Sequence, residues 1–127
     1  MLNGVPGERR FYAAAPWGQL HYRVLGDGPP IVLLHQTPWT SLQYVRAMPL
    51  IAAAGFQVLA PDTPGYGLSH GPAACPLLEE YAAALLPMLD ERGLDKITLL
   101  GHHTGALIAA AFAARWPARV EALILHG

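Results

Sequence analysis

The sequence predicts an α/β fold: a three-layer α/β/α sandwich around a mostly parallel sheet. Short, largely apolar runs at Ile31–Leu34, Phe56–Ala60, Ile97–Leu100 and Val120–Leu125 alternate with segments of helical pattern. Such alternation implies right-handed crossovers and parallel strands. The runs are short and continuous, as expected of strands buried on both faces. Just over half of the 127 residues are apolar and 13% are charged, which suits one small domain, or part of a larger one, with ample core.

Each element follows from local chemistry. Phe11–Ala14 and Leu20–Leu25 read as two strands, and Pro16-Trp17-Gly18 between them is turn chemistry, so a hairpin is expected. Gly26-Asp27-Gly28-Pro29 ends the second strand, and Ile31–Leu34 is the third. Thr40 or Ser41 can cap a helix running toward Ala54, with a kink or restart at Pro49 and a stop at Gly55. Phe56–Ala60 is the next strand, and a Gly- and Pro-rich loop follows from Pro61 to Pro76. Leu77–Arg92 has a helical pattern, with Glu79 and Glu80 in the first turn, where the helix dipole favours them. Pro87 should bend this helix and Gly93 close it. Ile97–Leu100 is a strand, Gly105–Trp116 a helix stopped by Pro117, and Val120–Leu125 the last strand.

Composition excludes several functions. The net charge is −1 with no basic run, so nucleic-acid binding has no electrostatic footprint. No apolar run reaches the ~20 residues of a membrane span. Met1–Arg10 has no apolar signal-peptide core, so a cytoplasmic location is the expectation. Cys75 is the single cysteine, so there is no disulfide framework, and its Pro-rich loop points to an idle thiol. No cofactor is expected.

The chemistry centres on Leu99-Leu100-Gly101-His102-His103-Thr104-Gly105, a strand, a tight turn and a helix start. Gly101 and Gly105 let the backbone turn sharply and let neighbouring elements approach. The pattern is that of a nucleophile elbow, G-x-S-x-G, with histidine where serine should be. Two further motifs stand upstream: Leu33-Leu34-His35-Gln36-Thr37-Pro38 and Asp62-Thr63-Pro64-Gly65-Tyr66-Gly67-Leu68-Ser69. Together, in this order, the three resemble the elbow, the oxyanion loop (usually His-Gly-x-Pro) and the D-x-x-G-x-G-x-S loop of the α/β-hydrolase family. The resemblance covers most of the chain and has two departures: Gln36 replaces a glycine and His103 replaces the nucleophile.

The resemblance implies a strand order of 1-2-4-3-5-6. Ligands would then bind above the switch point between strands three and five, which end in His35-Gln36-Thr37 and His102-His103-Thr104. It also implies an oxyanion hole made from the backbone N–H groups of Thr104 and Thr37, to which Gln36 can add a side-chain amide. His103 occupies the nucleophile position, and neutral imidazole is both a nucleophile and a general base. His102 and His35 match family histidines that support the loops, and Asp62 matches the residue that holds the glycine loop. His21, Tyr22 and His70 give no signal above surface or packing, and Trp39 is placed at the pocket mouth or as a loop anchor.

A rival reading gathers His35, His103 and His126, all at C-terminal strand ends, around zinc. Their spacing has no recognised signature, so no metal is expected. A hydrolase of this family also needs an acid and a histidine later in the chain. Residues 1–127 therefore read as the N-terminal portion, strands one to six, with the cap and last two strands absent. The expected activity is hydrolysis of an ester, amide or related bond of a small apolar molecule. The alternatives are a non-catalytic ligand-binding module and, by family analogy alone, cofactor-free oxygen chemistry. The apolar last strand would be an uncovered sheet edge, so self-association or completion by a C-terminal segment is expected.

Overall fold

The computed structural model describes residues 5–127, so the start of the Met1–Arg10 segment lies outside the described residues. Six strands form one sheet: β1 (Arg9–Ala15), β2 (Gly18–Leu25), β3 (Pro30–Leu34), β4 (Gln57–Pro61), β5 (Ile97–His102) and β6 (Val120–His126). Their order is β1-β2-β4-β3-β5-β6. The β1–β2 hairpin and the β2–β4 pair are antiparallel; β4, β3, β5 and β6 run parallel. Strand β4 lies on one side of β3 and β5 on the other, which creates the expected switch point.

Helices cover both faces. Alternate residues of the central strands enter opposite cores, as the two-residue strand period requires. Val32, Leu34, Leu59 and Leu99 pack with α2 (Leu78–Ala83), α3 (Leu85–Glu91) and α4 (Thr104–Arg115) through Ala82, Leu85, Met88, Leu89, Ile108 and Phe112. Ile31, Leu33, Val58 and Ala60 pack with Tyr44 and with Met48 and Ile51 of α1 (Met48–Ala53). These two cores make the three-layer sandwich.

The first helical segment restarts beside Pro49, as expected, and the second breaks at an unexpected place. The segment from Thr40 to Ala54 is two pieces: a 3-10 turn, Ser41–Tyr44, whose Leu42 N–H is capped by the Thr40 hydroxyl, and α1, which has Pro49 in its first turn. Proline is best tolerated there because that N–H has no helical acceptor. The Leu77–Arg92 helix divides at Ala84, not at Pro87. The proline ring crowds the carbonyl four residues back, at Ala83, so the break falls one turn upstream. Strand β6 is an edge strand with Leu123, Ile124 and Leu125 about half exposed. Among the described residues no helix is long and apolar enough to cross a membrane.

Candidate active site

Strand β5 ends at His102 and α4 begins at Thr104, so the whole reversal falls on His103. His103 is the one non-glycine residue with positive φ among the described residues, at φ 56° and ψ −116°. Its N–H donates to the His126 carbonyl at 2.9 Å and its carbonyl accepts from the Ala106 N–H at 2.9 Å. A Cβ on Gly101 would stand 2.1 Å from the Gly105 carbonyl oxygen, and one on Gly105 would stand 2.3 Å from that of Leu34. Both glycines are therefore required by close backbone approach. The turn they permit leaves the His103 side chain exposed.

The two predicted loops meet beside it. The Thr37 N–H donates to Thr104 Oγ1 at 2.7 Å, and the Thr37 hydroxyl donates to the same oxygen at 3.0 Å. Thr37 and Thr104, 67 positions apart, are thus in direct contact. Gln36 is engaged through its backbone N–H, which donates to Gln43 Oε1 at 3.0 Å. Gln43 Nε2 in turn lies 2.9 Å from His102 Nδ1. Since Oε1 is the accepting end of Gln43, Nε2 donates and His102 Nδ1 accepts. Gln43 therefore ties the Gln36 loop to the end of β5, a role no sequence pattern signalled.

His35 holds the loops, as its motif implies. Its Nδ1 donates to the Gln36 carbonyl at 2.7 Å and its Nε2 accepts from the Thr63 N–H at 3.0 Å. Burial pushes its pKa below the ordinary value of 6.5, against the pull of the Gln36 carbonyl and Asp62. With both ring nitrogens engaged, His35 has none left for a metal. Among the described residues no group of three His, Cys, Asp or Glu side chains is arranged to hold one. His126 stacks on His102, with ring centroids 4.7 Å apart.

Asp62 organises the floor of the site. Oδ1 accepts from the Ser41 N–H at 2.7 Å; Oδ2 accepts from His21 Nδ1 at 2.8 Å and from the Leu68 N–H at 3.0 Å. Burial alone would raise its pKa, but these donors outweigh it and hold the carboxyl well below its usual 3.8. The Ser69 hydroxyl donates to the Asp62 carbonyl at 2.6 Å and accepts from the His21 N–H at 2.8 Å. His21, without signal in the sequence, is thus the buried partner of Asp62. Its position opposite the glycine loop depends on the pairing of β2 with β4, which no local pattern reveals. Cys75 is exposed in its loop.

Two open clefts flank this framework and share Trp39 and Leu42. One, of about 520 Å³, is lined by Gln36, Gln43, Val45, Arg46 and His102 as well. The other, of about 430 Å³, includes Pro38, Thr40, Gly65, Tyr66 and Gly67. Trp39 stands at the mouth of both, with 53% of its surface exposed. His103 lines neither.

An open α/β sheet with a strained strand–turn–helix reversal above its switch point defines a class of fold and site. The α/β hydrolase fold family model matches residues 29–127, and the chain belongs to that family. It is 36% identical over 115 residues to bifunctional epoxide hydrolase 2 of Sus scrofa, covering 85% of this chain and 20% of that protein. It is 33% identical over 121 residues to haloalkane dehalogenase 2 of Mycobacterium tuberculosis, covering 94% of this chain and 42% of that protein. An epoxide hydrolase from an endophytic Streptomyces superposes with a TM-score of 0.91 at 30% identity, over 95% of this chain and 37% of that one. The chain thus spans under half the length of these relatives.

Proposed function

We propose that residues 1–127 form the N-terminal portion of a hydrolase domain acting on an ester, amide or related acyl bond of a small, largely apolar molecule. The observation that carries this is His103. It alone among the described non-glycine residues is held at positive φ, exposed, between two glycines that tolerate no Cβ. Trp39, Leu42 and Val45 on the neighbouring cleft supply an apolar wall.

A His103 ring nitrogen attacks the acyl carbon, and the carbonyl π electrons move onto oxygen. The N–H groups of Thr104 and Thr37 stabilise that oxyanion; losing one such donor costs on the order of 10²–10³ in rate in well-studied enzymes. The intermediate collapses as the proton of the other ring nitrogen passes to the departing oxygen or nitrogen, so the alcohol or amine leaves and a neutral acyl-imidazole remains; water then hydrolyses it to a carboxylic acid and free histidine. The relatives are named for epoxides and haloalkanes, but imidazole attack on those carbons gives an N-alkylimidazole. That product has no carbonyl for water to attack, so the histidine would be alkylated once and spent. An acyl substrate is the one for which a histidine in this position turns over.

The test is hydrolysis of 4-nitrophenyl acetate by wild type and His103→Ala. His103→Ala is expected to lose most of the protein-dependent rate with its melting temperature nearly unchanged. Equal rates would remove His103 from the chemistry and favour a non-catalytic binding module, recognised by ligand-induced stabilisation without turnover.

A further inference from the structure

We infer that the Thr104 hydroxyl is a built-in plug of the oxyanion site, one that a substrate oxygen must displace and that discriminates against uncharged carbonyls. The inference rests on the reading of Thr37 as an oxyanion donor. Two donors of one residue, the Thr37 N–H at 2.7 Å and the Thr37 hydroxyl at 3.0 Å, converge on Thr104 Oγ1. Those separations fall within the range expected between such donors and an oxyanion, about 2.7–3.1 Å. The oxygen at the focus belongs to the residue directly after His103, so it sits beside the reacting centre. Thr37 thus brings a second donor, its side-chain hydroxyl, that the backbone pattern of the family does not supply.

The energetic consequence is differential binding. A neutral ester carbonyl offers Thr37 about the same as the hydroxyl it displaces, so the ground state gains little. An oxyanion or carboxylate accepts charge-assisted hydrogen bonds roughly twice as strong as neutral ones, so it displaces the hydroxyl readily. Interactions that strengthen only as charge develops raise the rate and not merely the affinity. Once displaced, the Thr104 hydroxyl turns away while its N–H, fixed at the start of α4, stays in place. The ligand class this site prefers is therefore an anionic or strongly polarised oxygen on a small apolar body.

The experiment is titration of the full-length protein with phenylacetate, followed by the Thr37 amide resonance, in wild type and Thr104→Ala. Removing the plug frees both Thr37 donors and should tighten binding about thirtyfold, the change equivalent to the ~2 kcal/mol net worth of two hydrogen bonds. The same ratio is expected in a His103→Ala background, so failure of the nucleophile assignment leaves this test standing. In wild type, phenylacetate should also rotate the Thr104 side chain about χ1, read from its three-bond couplings, which serves if Thr104→Ala does not fold. The inference is overturned if Thr104→Ala binds equally or more weakly, if Thr104 keeps its rotamer in the bound wild type, or if phenylacetate leaves the Thr37 amide unmoved in both proteins.

Discussion

Replacing Asp62 by Asn tests how the site is held. The carboxylate accepts the Ser41 N–H on one oxygen and His21 Nδ1 and the Leu68 N–H on the other, and a hydrogen bond from the Ser41 side chain adds to them. An amide offers one oxygen. In its best orientation that oxygen faces His21 and Leu68, and its NH₂ is turned against the Ser41 N–H. Leaving one buried donor unmade costs about 1–3 kcal/mol, and reducing two charge-assisted bonds to neutral ones costs about 1 kcal/mol each. The sum, about 3–5 kcal/mol, matches the loss expected when one member of a buried pair is removed. For a chain of this length that lowers the melting temperature by about 10–20 °C.

The loss should also depend on pH. The folded carboxyl is held below its usual 3.8, so its stabilisation is complete above that value and is lost as pH falls through the folded value. The gap between wild type and Asp62→Asn should therefore be full at pH 7 and shrink at pH 3. Thermal unfolding followed by circular dichroism at both pH values measures it. A gap under about 3 °C at pH 7, or one unchanged at pH 3, would refute the assigned network.

Two further predictions concern the turn. A non-glycine residue at this backbone conformation carries strain of order 1–3 kcal/mol, so His103→Gly should be more stable than either wild type or His103→Ala by about 1 kcal/mol in urea unfolding. It should also lose ester hydrolysis, trading function for stability; equal stability of the Gly and Ala variants would contradict the strain. Gly105→Ala would drive a Cβ to 2.3 Å from the Leu34 carbonyl oxygen and 2.8 Å from that of His35. Both are backbone atoms of the β3 end, so the variant should lose about 1–3 kcal/mol or more in the same measurement, and hydrolysis should fall as Thr37 and Thr104 separate.

The sequence alone determined the strands, the three motifs and the place of His103. Strand periodicity, glycine spacing and turn chemistry are local properties, and each is written in adjacent residues. The same locality explains the misplaced helix break: the segment shows Pro87, but its steric effect is felt at Ala83. Only the tertiary structure decided which distant groups meet. His21 and Asp62 are 41 positions apart, Gln43 and His102 59, Thr37 and Thr104 67. Their contacts follow from β2 pairing with β4 and β3 with β5, and strand pairing is set by how the whole sheet buries its two faces. For that reason the Thr37 N–H, legible in sequence as a donor, became visible as one already engaged by the Thr104 hydroxyl only once β3 and α4 were brought side by side.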